Sequence, residues 1–274
     1  MLNSYPSRSQ RLAYTETGTG EPLLLLHAFP LSKEMWEPQL AVISSTAGIA
    51  GSYRCLAPDF PGFGGSEPPA AGEVSGMDDL AADAVALLDH LGIERAVVCG
   101  LSMGGYVALA LCEAWPERVR ALVLADTRAG ADAPEAQEKR HTTAREVEES
   151  GSGVLVDSMI PRLLGASTLA AKPGLREQLE RRIALASPAG VAAAQRGMAA
   201  RPDRGAVLAG LRIPVLILVG DEDILTPPEE SRRMQREAPG SELVILPGAG
   251  HLSNLEQPEA FNRALFGFLA RQTV

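Results

Sequence analysis

One serine of the chain lies in a sequence context typical of a catalytic nucleophile. The hexapeptide GLSMGG at residues 100–105 follows the apolar run Ala96–Gly100 and precedes Tyr106–Cys112, which is apolar on every helical face. A G-x-S-x-G pattern between a strand and a helix forms a turn so tight that its flanking positions must lack side chains. Such a turn presents the hydroxyl of Ser102 at the carboxyl edge of a sheet and points the amide of Met103 toward a developing oxyanion. We therefore interpret Ser102 as a nucleophile.

Four histidines are available as the general base that such a serine needs. His90 ends an amphipathic helical pattern and His141 lies in a run of charged residues, so both are expected on the surface. His27 ends an apolar run and is expected to hold the following loop by hydrogen bonds. His251 follows Gly-Ala-Gly directly after the last apolar run, on a loop that can approach its neighbours closely. General-base geometry requires a histidine on such a loop, and we assign this role to His251.

The third group of such a site is a carboxylate that holds the imidazole in one tautomer and stabilises its charged form. Residues 220–227, with the sequence GDEDILTP, follow an apolar run and offer three acidic side chains. Among them, Asp223 lies past the strand end, where it can reach toward His251. Asp126, at the end of the strand that follows the serine helix, is the alternative. We assign Asp223 as the acid and keep Asp126 as its competitor.

Apolar runs alternate with helical patterns along most of the chain, as in a mostly parallel central sheet with helices on both faces. The runs are nearly continuous in Leu, Val, Ile and Ala, so each is expected to be a strand buried on both sides. Arg11–Thr17 alternates in polarity and is expected to be an antiparallel edge strand. The predicted buried strands are Pro22–Phe29, Arg54–Phe60, Ala96–Gly100, Val119–Asp126, Pro214–Asp221 and Glu242–Pro247. The predicted helices are Asp78–Leu91, a helix from an N-cap at Thr226 through Glu237, and Pro258–Arg271.

The alternation breaks between residues 128 and 210, where helical patterns replace strands. Apolar residues recur at helical spacing over Leu155–Leu164 and over Leu175–Ile183, and an Ala-rich segment follows. We predict an α/β core made of residues 1–127 and 211–274, with residues 128–210 inserted as a helical cap. The cap is expected to roof the serine and to set substrate size. The substrate contacts expected from the cap are Met159, Ile160, Leu163 and Leu164.

Composition excludes several classes of protein. The chain has 274 residues, 46% hydrophobic and 22% charged, which excludes intrinsic disorder. A formal net charge of −9 argues against a nucleic-acid partner, because phosphate binding needs clustered Lys and Arg. Three cysteines are too few for a disulfide framework, and no zinc, Walker A or dinucleotide motif is present, so we expect no metal and no cofactor. Without a signal segment or a bilayer-length apolar run, a soluble cytoplasmic protein with no membrane partner is expected. The sequence does not indicate an oligomeric state.

Five motifs together resemble those of the α/β-hydrolase superfamily, nearly from one end of the chain to the other. LLLHAFP at residues 24–30 resembles its oxyanion loop, and APDFPGFGGS at residues 57–66 resembles its Pro-Asp turn. Residues 100–105 resemble its nucleophile turn, and residues 220–227 and 248–251 its acid and histidine loops. The order of the three candidates, serine, then aspartate, then histidine, is also that of this superfamily.

The resemblance implies the α/β-hydrolase fold, a triad of Ser102, Asp223 and His251, and an oxyanion hole formed by the amides of Phe29 and Met103. Position 28 departs from the family, because Ala28 stands where glycine is usual, and we expect this change to be neutral. The segment LADTRAGADAPEA at residues 124–136 further resembles a branch of carboxylesterases and 3-oxoadipate-enol-lactonase-like hydrolases. This branch implies an ester or lactone substrate.

The expected activity is hydrolysis of carboxylic esters of small to medium acyl chain through an acyl-enzyme on Ser102. A lactonase of the enol-lactone type and a perhydrolase or haloperoxidase-like activity are alternatives on the same residues, and a binding protein without turnover is a third class. Two further side chains have open roles. Trp36 either contacts substrate or anchors the loop before it. Arg128 either binds a substrate carboxylate or pairs with Asp126 or Asp132.

Overall fold

The computed structural model describes residues 3–7, 10–44 and 52–272, and one mixed sheet forms the centre of this described part. The eight strands of the described residues are β1 (Asn3–Ser7), β2 (Gln10–Gly18), β3 (Glu21–Leu26), β4 (Tyr53–Pro58), β5 (Ala96–Leu101), β6 (Val119–Ala125), β7 (Val215–Gly220) and β8 (Glu242–Leu246). Their order across the sheet is β1-β2-β4-β3-β5-β6-β7-β8. The β1–β2 and β2–β4 pairs are antiparallel and the other pairs are parallel, which confirms the predicted fold class.

Helices fill the connections between the parallel strands. In the described residues they are α1 (Glu37–Ser44), α2 (Met77–His90), α3 (Met103–Ala114), α4 (Pro134–Ser150), α5 (Val156–Leu163), α6 (Ala166–Ala171), α7 (Pro173–Leu185), α8 (Pro188–Ala199), α9 (Gly205–Gly210), α10 (Pro228–Glu237), α11 (Ser253–Glu256) and α12 (Pro258–Ala270). The helix α3, apolar on every side in the sequence, is buried from Met103 to Cys112 and packs against α2, β5 and β6. A helix without a polar face has no side to present to water, so its central position follows from its composition.

All six predicted strands are present, and β5 and β7 are buried at every residue. The predicted burial is wrong for β8, which is an edge strand of the sheet and in which only Leu246 is buried. Because helices cover a parallel sheet on both faces, its strands need no polar face. The largest error in their bounds concerns β3, which was predicted to reach Phe29 and ends at Leu26. From His27 onward the chain leaves the sheet to form a loop above it.

The amino-terminal edge of the sheet differs from the prediction. The antiparallel direction of β2 is confirmed, but β2 is not the edge strand, since β1 pairs with its outer side. The β1 sequence NSYPS was not predicted as a strand because it is short, polar and contains Pro6. Its alternate residues Tyr5 and Ser7 are buried, and the Ser7 hydroxyl donates to Asp83 at 2.6 Å.

The helix after β7 begins later than predicted. Its cap residue is Pro227 and its first residue is Pro228, so Thr226 is not its N-cap. The hydroxyl of Thr226 instead donates to the Asp223 carboxylate at 2.6 Å. A short polar side chain next to a turn has several possible backbone and side-chain partners, and its spacing from the helix does not select among them.

Six helices, α4 to α9, lie between β6 and β7 in the segment 128–210, and the structure describes no strand there. The predicted apolar stripes fall on α5 and α7, and the Ala-rich segment forms α8. The backbone of this segment is hydrogen-bonded to the rest of the fold, for example from Ser75 N to Ala193 O at 3.1 Å. Among the described residues, no helix has both the length and the apolar character that a membrane span requires.

Candidate active site

The loops after β3, β5, β6, β7 and β8 meet at the carboxyl edge of the parallel strands, and Ser102 lies in the sharpest of them. This residue has φ 54° and ψ −113°, a strained conformation for a residue with a side chain. The turn is possible because its neighbours lack Cβ atoms. A Cβ on Gly100 would lie 2.2 Å from the Gly104 carbonyl oxygen, and a Cβ on Gly104 would lie 2.1 Å from the Leu26 carbonyl oxygen. The Ser102 amide donates to Ala125 O at 2.9 Å, which fixes the turn to β6.

The imidazole of His251 lies against this serine. Its Nε2 is 2.7 Å from Ser102 Oγ, although 149 residues separate the two positions in the chain. His251 is 3% exposed, so water has little access to the contact. The preceding Gly250 allows the loop to run close to its neighbours, since a Cβ there would lie 2.2 Å from Gly165 N.

The other imidazole nitrogen faces Asp223. Nδ1 of His251 is 2.8 Å from Asp223 Oδ2, and the Thr226 hydroxyl donates to the same oxygen at 2.6 Å. The amides of Leu225 and Thr226 donate to Asp223 Oδ1 at 2.8 and 3.0 Å. Burial alone raises the pKa of Asp223, but the charge and hydrogen bond of His251, together with the two hydrogen bonds from Thr226, outweigh it and lower the pKa. The carboxylate is therefore ionised, which fits an imidazole whose Nδ1–H donates to Asp223 and whose Nε2 accepts from Ser102.

Asp126, the alternative acid, lies at the same edge but makes different contacts. Its Oδ1 accepts from Gly220 N at 2.9 Å, and its Oδ2 accepts from the amide of Ser253 at 3.2 Å and from the hydroxyl of the same residue. Burial and the nearby charge of Asp223 raise the pKa of Asp126. Of the two carboxylates, Asp223 is the one hydrogen-bonded to the imidazole, whereas Asp126 ties the end of β7 to the histidine loop.

The backbone amides of Phe29 and Met103, both at this edge, donate to no protein acceptor in the described part of the chain. Met103 is the first residue of α3, where the amide has no intrahelical partner and the helix dipole favours negative charge. Ala28 lies in the loop that follows β3 and is fully buried. Among the described residues, positive φ angles without glycine occur at Ser102 and Asp126, so the Cβ of Ala28 introduces no left-handed strain.

The imidazole of His27 supports the loop that carries Phe29, as the sequence predicts. Its Nδ1 lies 3.0 Å from Ala28 O, and its Nε2 accepts from the amide of Phe60 at 2.9 Å. Burial lowers the pKa of His27 to about 4, against the opposing charge of Asp59. A neutral imidazole is required here, because a protonated ring has no lone pair to accept the Phe60 amide.

The histidine loop is also attached to the segment between α5 and α6. The His251 amide donates to Leu163 O at 3.1 Å. The fully buried carboxylate of Glu256 accepts from Gly165 N at 2.8 Å and from Leu252 N at 3.0 Å. Sequence reasoning missed Glu256, whose place in α11 gave no sign of this bridging position. The position of His251 therefore depends on the helical segment as well as on β8.

A cavity of about 380 Å³ opens above Ser102 and His251. Met159 and Leu163 line it as expected, together with Phe29, Tyr106 and Leu225. Arg128, for which binding of a substrate carboxylate was one of two open roles, also lines the cavity. The residues that the prediction missed on its walls are Asp132, Ala136, Lys139, Arg140, Thr143, Glu146, Val154, Leu155, Ser158, Arg162, Gln195, Met198 and Thr226.

Three of the expected substrate contacts lie elsewhere. Ile160 and Leu164 are buried in the hydrophobic core and do not line the cavity. Trp36 is also absent from its walls, since its fully buried ring packs against Phe261 at a centroid distance of 6.2 Å. Of its two open roles, the structure therefore supports anchoring the loop. The helical period locates the apolar face of a segment but does not distinguish a side chain that packs on the core from one that faces a cavity.

Comparison with known proteins identifies the family to which the chain belongs. The sequence profile of the alpha/beta hydrolase fold matches residues 21–258, and the chain belongs to this family. A thermophilic esterase from Thermogutta terrifontis is 40% identical and superimposes with a TM-score of 0.93, covering 100% of this chain and 98% of its own. The enol-lactonase from Burkholderia xenovorans LB400 is 27% identical with a TM-score of 0.88, covering 98% of this chain and 100% of its own. In sequence, 3-oxoadipate enol-lactonase 2 of Acinetobacter baylyi is 30% identical over 91% of this chain and 88% of its own.

Proposed function

We propose that the protein hydrolyses carboxylic esters of small to medium acyl chain through an acyl-enzyme on Ser102. In the first step, His251 Nε2 takes the hydroxyl proton while Ser102 Oγ attacks the ester carbonyl carbon. The amides of Phe29 and Met103 donate to the oxygen that becomes negative, and each lowers the barrier by about 3 kcal/mol. The C–O bond to the alcohol then breaks, and His251 returns the proton to the departing oxygen.

The second step releases the acid by the same route. A water molecule attacks the acyl carbon and gives its proton to His251 Nε2, and the bond from that carbon to Ser102 Oγ breaks. The proton then returns to the serine. During both steps, ionised Asp223 accepts from Nδ1–H and stabilises the positive imidazolium.

The observation that carries this proposal is the line of two short contacts, 2.7 Å from Ser102 Oγ to His251 Nε2 and 2.8 Å from Nδ1 to Asp223 Oδ2. Both distances suit proton transfer to a base that is held by an acid. We further propose that residues 128–210 act as a cap on a core of residues 1–127 and 211–274. The walls that α4, α5 and α8 give the cavity support this role.

Hydrolysis of p-nitrophenyl butyrate by the wild type and two alanine variants tests the proposal. Ser102→Ala is expected to lower kcat by at least about 10⁴-fold, because the covalent route is lost. Ser158→Ala is the matched control, since this hydroxyl lines the same cavity and donates to Leu155 O. The control is expected to keep kcat within about threefold, because a cavity-wall hydroxyl contributes at most one ordinary hydrogen bond. Equal activity of wild type and Ser102→Ala would refute the proposal.

A lactone substrate is the second candidate, and the similarity to enol-lactonases favours it. Lactone opening uses the same steps, except that the leaving alcohol stays attached to the acyl group. Parallel assays on an enol-lactone and on p-nitrophenyl butyrate decide between the lactone and the ester. The substrate with the higher kcat/KM identifies the class.

A further inference from the structure

The cavity above Ser102 has a charge opposite to that of the whole protein. The chain carries a formal net charge of −9, yet cationic side chains outnumber acidic ones on the cavity walls. The cationic residues are Arg128, Lys139, Arg140 and Arg162, and the acidic residues are Asp132 and Glu146. A cleft lined by one sign of charge concentrates ligands of the opposite sign, even on a protein whose overall charge repels them.

The more deeply buried of the two acids is already neutralised by protein groups. Asp132 accepts from Arg201 Nη2 at 2.8 Å through Oδ1 and from Arg140 Nε through Oδ2. Burial acts to raise the pKa of Asp132, but these two arginines outweigh it and lower the pKa to about 2. Arg201 also lies over the ring of Tyr106, 4.1 Å from its centroid. Asp132 therefore leaves no carboxylate oxygen free for the other cations of the cavity.

Arg128 is the half-buried cation of this cavity that has no acidic partner. No carboxylate of the described residues lies within 4.0 Å of its guanidinium, so it pairs with neither Asp126 nor Asp132. Its Nη2 donates to Leu225 O at 2.5 Å, and its buried Nε has no acceptor within the described part of the chain. A buried guanidinium with unfilled donors is costly unless an anion completes it. Arginine suits a carboxylate because its planar donors match both oxygens.

We propose that Arg128 binds a carboxylate carried by the acyl part of the substrate, so that the preferred substrates are esters or lactones with a free carboxylate. This inference rests on the proposed ester hydrolysis at Ser102. Arg128 follows β6, which is the neighbour of the serine strand, and its hydrogen bond reaches the loop that holds Asp223. A carboxylate at this position holds the acyl chain in the cavity while the ester carbonyl lies at the serine. The exposed Lys139 and Arg162 at the cavity walls add attraction for an approaching anion.

A pair of esters with the same four-carbon acyl chain tests this inference. The substrates are mono-p-nitrophenyl succinate, which carries a free carboxylate, and p-nitrophenyl butyrate, which does not. Arg128→Met is expected to lower kcat/KM about 10- to 100-fold more for the succinate ester than for the butyrate ester, the difference typical of a lost hydrogen-bonded charge, because the loss of the hydrogen bond to Leu225 O affects both substrates alike. Arg128→Lys retains the charge, and its kcat/KM for the succinate ester is expected to lie between those of the wild type and Arg128→Met. Arg145→Met, an exposed residue of α4 outside the cavity walls, is the matched control and changes neither substrate.

A second measurement is independent of turnover. Succinate is expected to slow fluorophosphonate labelling of Ser102 in the wild type but not in Arg128→Met. Equal losses on both esters, or equal protection by succinate in both proteins, overturn the role of Arg128 while Ser102-dependent hydrolysis of the butyrate ester stands. If the wild type hydrolyses neither ester and Ser102 is not labelled, the proposed function itself fails.

Discussion

Replacing His27 by glutamine tests whether the loop that carries Phe29 depends on a neutral buried imidazole. His27 is fully buried and bridges Ala28 O and the amide of Phe60, and burial lowers its pKa from 6.5 to about 4. As the pH falls below 6.5, the unfolded chain takes up a proton that the folded imidazole does not accept until about pH 4. The stability that His27 contributes is therefore present above pH 6.5 and is lost as the pH falls toward 4.

The size of this loss follows from the two pKa values. A difference of about 2.5 pKa units, at about 1.4 kcal/mol each, amounts to about 3 kcal/mol of unfolding free energy. Glutamine can both donate and accept hydrogen bonds but does not titrate in this range. The unfolding free energy of the wild type minus that of His27→Gln is therefore expected to fall by about 3 kcal/mol between pH 7.5 and pH 4.

Urea unfolding at half-unit steps of pH measures this difference directly, because carboxylates common to both proteins cancel. His141→Gln is the matched control, since its imidazole is exposed on α4, and a fall of the same size in this variant would show that the effect does not come from the buried imidazole. A flat difference for His27→Gln would refute the reasoning, because it would mean that the folded imidazole accepts a proton as readily as the unfolded one.

Three further variants test the contacts around the site. Asp223→Asn is expected to lower kcat by about 10⁴-fold through the wrong imidazole tautomer, whereas Asp126→Asn is expected mainly to lower unfolding free energy, by about 1–3 kcal/mol. Steady-state kinetics and urea unfolding of both variants check this, and the reverse pattern would transfer the acid role to Asp126. Gly165→Ala places a Cβ 2.9 Å from Gly250 N and is expected to lower kcat by about 10- to 100-fold, because the histidine loop must shift. Gly153→Ala has open space around its Cβ and is expected to leave kcat unchanged. Equal kcat values in these two glycine variants would show that the helical segment does not position the base.

The arrangement of the core was predictable because burial leaves a direct trace in the sequence. Strands covered on both faces read as continuous apolar runs, and a helix without a polar face must lie inside, as α3 does. The β1 strand leaves no such trace, since it is short and half polar, and its pairing depends on the partner strand more than on its own residues.

The convergence of the site residues was predictable from topology. Parallel strands end at one edge of the sheet, so side chains that follow β5, β7 and β8 meet there even though they lie far apart in the chain. The sequence assigned Asp223 as the acid but left Asp126 as its competitor, because both follow strands at this edge. The choice is decided by the loop that Thr226 and the amides around it fold about Asp223, and no strand pattern encodes that conformation.

The contacts of the helical segment were predictable only in part. Helical spacing identified the apolar face that contains Met159, Ile160 and Leu163, but only two of these three reach the cavity. The polar walls of the cavity were missed, because a run of charges on α4 has the same pattern as a solvated helix face. The perhydrolase or haloperoxidase-like alternative stays a prediction, since it would use the same residues with peroxide in place of water.

Mass spectrometry of the protein quenched during turnover tests the nucleophile most directly. With p-nitrophenyl butyrate as substrate, the account predicts a butyryl group on the peptide that contains Ser102, formed with a burst of one nitrophenol per protein and absent from Ser102→Ala. A butyryl group on another residue, or steady hydrolysis with no covalent intermediate when deacylation is slowed, would contradict it.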